Sequence, residues 1–203
     1  MSDRLERQWQ QKGTGPKPAN FADGFFIGEI EFQCEFGVRA FGEMQQAYAN
    51  DIKHPALLAL AHVLLVFAGN VGKILGASKD ASEKTRARGK RLRETLGLQD
   101  ADFENIRQAR NFFEHFDERI EKYVGSHKGL LIDRRVLDHY PNTVELDDGR
   151  SFEPSFLQFL NTNTLDLTLY DQQFHLPAIV KQLQTIQAKA KAWYEAQSVA
   201  AEI

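Results

Sequence analysis

The chain has 203 residues, 42% of them hydrophobic and 26% charged, with a formal net charge of −3. That is enough chain to bury one sizeable core and too much apolar content for a disordered segment. The small negative balance excludes a protein that coats nucleic acid with its whole surface, but it leaves room for a local basic site. The one cysteine, Cys34, excludes an intrachain disulfide and a cysteine-built zinc site. A small apolar filler in a reducing, cytoplasmic compartment is the expectation for it.

Residues 1–22 read as a flexible N-terminal tail: polar, with Gly13, Gly15, Pro16 and Pro18 close together and a short helical tendency at residues 5–9. The tail lacks the apolar core of a signal peptide. Over residues 25–48 two periods compete. Phe26, Ile30, Phe32, Cys34 and Phe36 fit alternation, whereas Ile27, Ile30, Cys34, Val38, Phe41, Met44 and Tyr48 keep helical spacing for longer. The longer pattern predicts a helix.

His54-Pro55 restarts the chain, because proline is well placed in a first helical turn. Residues 56–75 are then apolar on almost every side, as a helix central to a bundle must be. Their longest apolar run, residues 56–68, is interrupted by His62 and is too short for a bilayer span, so no membrane partner is expected. His62 and Asn70 within this helix must be satisfied by neighbours or lie where the bundle opens, close to the helix that carries Arg110. The run Gly69-Asn70-Val71-Gly72-Lys73 is not a phosphate loop. Its glycine spacing is wrong, and neither a hydroxyl residue after the lysine nor a preceding strand is present.

Residues 84–93 hold the densest positive charge in the chain: Lys84, Arg86, Arg88, Lys90, Arg91 and Arg93, with Leu92 and Leu96 as anchors. They read either as a solvated connecting helix or as contacts to an RNA backbone. Asp100 to Asp102 offer N-caps for a further helix, with a stripe of Phe103, Ile106, Phe113, Ile120 and Val124 and a stop at Gly125. Beyond Ser126 the period shortens. Residues 130–137, 143–146, 156–161 and 165–170 predict strands, with a turn at Asp147-Asp148-Gly149. Pro177 opens a last helix carrying Ile179, Leu183, Ile186, Ala190 and Trp193. The expected fold is mainly α: one domain over residues 23–203, with a helical bundle (23–126), a small antiparallel β-meander (127–176) and a C-terminal helix (177–203) that returns to the bundle.

Within this plan the run Arg-Asn-Phe-Phe-Glu-His-Phe-Asp-Glu-Arg, residues 110–119, carries the densest chemistry. An ideal helix advances about 100° per residue. Phe112, Phe113, Phe116 and Ile120 then share one arc, and Arg110, Asn111, Glu114, His115 and Glu118 the opposite one, facing water or a partner. Five residues separate Arg110 from His115 by about 140° around the axis, whereas Asn111 and His115 share a face.

Arg110-Asn111-Phe112-Phe113-Glu114-His115 resembles the Arg-x4-6-His signature of the HEPN superfamily, whose helical bundles include many metal-independent ribonucleases. The longer run through Phe116-Asp117-Glu118-Arg119, with Arg88-Gly89 and Arg93 upstream, also resembles a group of uncharacterised bacterial proteins. The resemblance covers roughly residues 25–125. It implies a HEPN-like bundle that cleaves RNA by attack of a ribose 2′-hydroxyl on the adjacent phosphate, as a toxin or defence component, with no cofactor. It also implies a homodimer whose two motif helices meet in a composite site, and it makes an antitoxin protein an expected partner.

In that reaction His115 suits acid or base work, histidine being the residue type most used for proton transfer. Arg110 stays charged and can grip two phosphate oxygens, and Asn111 orients substrate or imidazole. Glu114, Asp117 and Arg119 stand beside them, with His62 and Asn70 as supporting candidates. The three carboxylates Glu114, Asp117 and Glu118 repel phosphate unless Arg119, Arg107 or a second chain offsets them. Arg110 can instead pair with Glu114, and His115 with Glu118 or Arg119, along a solvated helix face.

A di-metal bundle site would need a Glu-x-x-His pair on each of two helices, and position 112 is phenylalanine. No glycine-flanked serine elbow exists, and His127, His139 and His175 read as loop histidines. The reading from a different class is a non-catalytic bundle that binds RNA, a nucleotide or a protein through the same polar face.

Overall fold

A computed structural model describes residues 21–50, 55–76, 81–126 and 130–200. The expected tail, His54 and His127 therefore lie outside the described residues, apart from the two residues that open the first helix. That helix, α1 (Phe21–Ala49), settles the competition of periods in favour of the longer pattern. Ile27, Ile30, Cys34 and Met44 bury one stripe of it.

Helix α2 (Pro55–Leu75) starts at its proline and lies between α1 on one side and the motif helix on the other. Ala61, Leu64, Leu65, Ala68 and Val71 are sealed from solvent. Val63 and Val66 remain 40% and 46% exposed, so the helix is not apolar on all sides for the sake of burial alone. It also runs past the apolar stretch, and at 21 residues it is long and apolar enough by composition to cross a membrane; 50% of its most apolar window is buried here.

Helix α3 (Glu83–Thr95) caps itself with Ser82, whose hydroxyl accepts the Thr85 N–H. It crosses the end of α2 so closely that a Cβ on Gly89 would stand 2.9 Å from the Leu75 carbonyl oxygen. A 3-10 turn (Asp100–Phe103) then leads into α4 (Glu104–Glu114) and α5 (Phe116–Ser126). The expected single helix is thus two, broken at His115 (φ −126, ψ 31). The His115 N–H bonds to the Phe112 carbonyl at 3.3 Å, and the chain resumes with Arg119 N–H on the His115 carbonyl at 3.1 Å. The cause lies in the rings. Phe112 meets Phe113, Phe116, Tyr170 and Phe174 at centroid distances of 5.4, 5.7, 6.1 and 5.3 Å, a cluster that bends the helix toward the sheet.

The sheet orders its strands β1 (Leu130–Leu137), β4 (Pro154–Asn161), β5 (Asp166–Leu169) and β6 (Gln172–His175), while β2 (Val144–Glu145) and β3 (Ser151–Phe152) form a separate antiparallel pair. The expected antiparallel meander is corrected in part: β4, β5 and β6 are antiparallel neighbours, but β1 runs parallel to β4, so the sheet is mixed. Residues 138–153 between β1 and β4 carry the β2–β3 hairpin. That is crossover length, which lets β4 return in the same direction as β1. Strand β6 escapes the sequence reading because Gln172-Gln173 lacks strand composition. Its turn is made by Tyr170 in the left-handed region (φ 55). Helix α6 (Leu176–Ala200) packs back on α1, burying Ile179, Leu183, Ile186 and Ala190.

Two glycines test this packing in opposite directions. Gly89→Ala must push α3 off a backbone oxygen, and costs about 1–3 kcal/mol, a fall in melting temperature of about 2–4 °C per kcal/mol. Gly42→Ala, where an added Cβ meets nothing within 4 Å, stabilises by about 0.5–1 kcal/mol. Thermal unfolding of the two variants reads both signs.

Candidate functional site

The motif helix is seated by glycines. Gly69 and Gly72 lie on α2 with the backbone of α4 against them, and Gly76, just past the helix end, faces the Arg110 guanidinium. A Cβ at Gly72 would be 3.1 Å from both the Arg110 Cβ and the Ile106 carbonyl oxygen, and one at Gly69 would be 3.6 Å from the Arg110 Cα. The residues that fail as a phosphate loop are therefore a helix seat. Gln182 of α6 fixes the other end of α4. Its Oε1 accepts the N–H groups of Asn105 and Ile106 at 3.1 and 3.3 Å, and its Nε2 donates to the Ala101 carbonyl at 2.9 Å. This satisfies donors that a helix start leaves open.

That seat decides where Arg110 goes. It follows Ile106 by one turn and faces α2, so it is 5% exposed rather than on the water face with Asn111 and His115. The expected shared polar arc is thus split. Arg110 Nε and Nη2 each donate to a Glu114 carboxylate oxygen at 3.2 Å. Its Nη1 lies near Gly76 at the C-terminal end of α2, where an added Cβ would stand 3.4 Å from it. Carbonyls there carry negative partial charge, and Arg93 also donates to the Leu75 carbonyl. Two guanidinium groups thus meet one helix end.

Asn111 is exposed, and so is His115, whose side chain is 59% accessible with Nδ1 3.4 Å from Glu118. Asp117 is exposed as well. Arg119 turns away from His115: Nη1 reaches Asp171 at 3.4 Å, and its guanidinium lies 5.5 Å over the Phe112 ring. Arg107 pairs with Glu104. Neither arginine offsets the carboxylates around His115.

The supporting candidates are used elsewhere. His62 Nδ1 is 2.7 Å from the Leu58 carbonyl oxygen in its own helix. Asn70 donates to buried Gln33 of α1 at 3.1 Å, and Gln33 donates to Glu29 at 2.6 Å. The basic run divides similarly. Arg91 grips Asp23, which is 1% exposed, with bonds of 2.6 and 2.7 Å. Arg88 lies 4.6 Å over Phe26, and Arg93 is bound to Leu75 and over Phe103. Lys84, Arg86 and Lys90 stand outward, with Arg86 donating to the Ala81 carbonyl and Lys90 3.8 Å from Glu94. Asp23 and Gln182 were not legible as site supports, because their partners are 68 and 77 residues away in the chain.

No group of three or more His, Cys, Asp or Glu side chains among the described residues converges as a metal site would. His139 and His175 bond to Asp138 and Asp166, at 2.5 and 2.7 Å. A depression of about 290 Å³ lies between Met44, Tyr48, Leu57 and Leu165, and none of the Arg110 or His115 neighbourhood lines it. No protein family, curated protein or solved structure matches the chain.

Arg110 therefore carries both packing and charge, and two substitutions separate them. Arg110→Ala empties the seat and costs about 2–4 kcal/mol. Arg110→Met keeps the length of the side chain, leaves Glu114 to water, and costs less than about 1.5 kcal/mol, both read by denaturant unfolding. Burial pushes the Cys34 thiol up to about 12, with Glu31 adding to the shift. The native protein at pH 8 should accordingly react with a thiol reagent about a thousandfold more slowly than free cysteine.

Proposed function

We propose that the chain is a metal-independent endoribonuclease of HEPN type that works as a two-fold dimer. The observation that supports it is the helix break at His115. It leaves an exposed imidazole beside exposed Asn111, immediately after an arginine held in a fork. In the reaction the 2′-oxygen of a ribose attacks the adjacent phosphorus and its proton passes to His115 Nε2, the ring nitrogen turned away from Glu118. The phosphorus–O5′ bond breaks, and the leaving oxygen takes a proton from an imidazole, that of the second copy in a dimer. The products are a 2′,3′-cyclic phosphate and a 5′-hydroxyl. Arg110 supplies the fixed positive charge for the phosphorane-like transition state, and Asn111 orients the ring or the ribose. A site with one imidazole per chain gains its second proton donor from the other copy. The cytoplasm, where RNA and a reduced Cys34 coexist, is the compartment this reading assigns.

A second reading has its own observation. Arg110 is buried and already paired, and Asp117 and Glu118 stand unneutralised by Arg119 or Arg107, as befits a bundle that binds RNA or a protein without cutting. Incubation with RNA in chelator separates the two. The nuclease cleaves under those conditions. It loses about 10²–10⁴-fold in rate in His115→Ala and about 10²–10³-fold in Arg110→Met, with both variants folded. Cleavage that needs a divalent ion, or survives both substitutions, ends the nuclease reading. RNA retention by the wild type and by His115→Ala, with no cleavage by either, establishes the binding module.

A further inference from the structure

Arg91 and Arg110 each direct Nε and Nη2 at the two oxygens of one carboxylate, and the two forks differ. Arg91 holds Asp23 at 2.6 and 2.7 Å, and the Asp23 side chain is 2% accessible. Those lengths are at or below the usual range for bonds between opposite charges. Arg110 holds Glu114 at 3.2 Å through both bonds, and the Glu114 side chain is 30% accessible while that of Arg110 is only 6%. The second fork is long and its carboxylate is the outer partner. Its order along the helix, arginine before glutamate at four residues, is also the weaker of the two orientations. The arginine side chain runs along the glycine seat, its Cβ beside Gly72 and its Nη1 beside Gly76, so its path is set by helix packing as well as by Glu114.

We propose that the Arg110 fork is a seat for a phosphate group, and that Glu114 is its resident carboxylate, displaced when a phosphate monoester or diester arrives. The proposal rests on the ribonuclease reading for the identity of its diester. Two oxygens of a carboxylate and two of a phosphate present the same parallel acceptors to Nε and Nη2. Glu114 can swing into water, because it is the last residue of α4 and the chain breaks just beyond it. Arg110 cannot swing out without emptying its place between Gly72 and Gly76. Exchange therefore moves the carboxylate and leaves the cation fixed. At rest the carboxylate masks the only buried guanidinium among the described residues and repels weakly held anions. A ligand must carry enough charge, or enough neighbouring contacts, to replace it. Glu114 thereby sets a threshold for what the site accepts.

The test is a titration of the full chain with inorganic phosphate, followed by the side-chain Nε–H resonance of Arg110. Wild type, Glu114→Gln and Glu121→Gln are compared. Glu121 is an exposed carboxylate of α5, and its substitution changes the net charge by the same amount. Glu114→Gln keeps the size of the side chain and one acceptor oxygen, so the fold is retained. The expected result is a saturable shift of the Arg110 signal at least fivefold tighter in Glu114→Gln than in either other protein, together with phosphate binding by titration calorimetry that Glu114→Gln shows and the Glu114→Gln, Arg110→Met double variant loses. Equal response in Glu114→Gln and Glu121→Gln overturns the seat, since it reduces the effect to net charge. No response in Glu114→Gln overturns it too. RNA then separates the two readings. Phosphate capture by Glu114→Gln with no RNA cleaved by any variant keeps the seat and ends the nuclease. Cleavage that depends on His115, with no change in phosphate response, keeps the nuclease and ends the seat.

Discussion

The close approach of α4 to α2 is the constraint on which the rest of the molecule depends. Gly69 and Gly72 on α2 remove the side chains that would hold the helices apart, and a Cβ on Gly72 would stand 3.1 Å from a carbonyl oxygen of α4. Once α4 lies that deep, Ile106, Ala109, Arg110 and Phe112 are committed to the interior. Burying an arginine is costly unless its donors are met. The carboxylate of Glu114 and the carbonyl end of α2 are therefore consequences of the glycine seat rather than independent features. Sequence pattern alone reads the same glycines as a failed phosphate loop, because a glycine's meaning depends on what approaches it.

The sheet has a part in this as well. Phe112 stacks on Tyr170 with planes 14° apart and meets Phe174 edge-on. Arg119 reaches Asp171 in the turn between β5 and β6, and Tyr123 donates to the Phe156 carbonyl at 3.4 Å. The first two contacts tie the end of α4 to the sheet and the last two tie α5 to it, on either side of His115. The break at His115 is thus a product of long-range packing. The sheet, which contributes none of the motif residues, thereby places the imidazole at a helix joint.

Much of the fold was legible because it rests on periodicity. The helix of residues 21–49, the restart at Pro55, the change of period after Ser126 and the returning C-terminal helix follow from apolar spacing and from proline. What was not legible comes from partners distant in the chain. The parallel pairing of β1 with β4 depends on a crossover, and the polar strand β6 is specified by the register Leu167 to Phe174 rather than by its own composition. The candidate site follows the same division. Exposure of Asn111 and His115 follows from the helical pattern, whereas burial of Arg110 does not. Its neighbour four residues back, Ile106, was the available signal, since residues one turn apart share a face.

The difference between the two arginine forks also bears on the basic run of α3. Six cations in ten residues look like one surface for a polyanion, yet Arg91, Arg93 and Arg88 are drawn inward to Asp23, the end of α2 and Phe26. These contacts clamp α3 to α1 and α2, and Gly89 removes the side chain that would prevent it. Positive charge therefore serves in part to join helices, while Lys84, Arg86 and Lys90 stand outward. Arg110 follows the same rule, since it too is turned inward, lying against the glycines of the α2 end with Glu114 as its carboxylate partner.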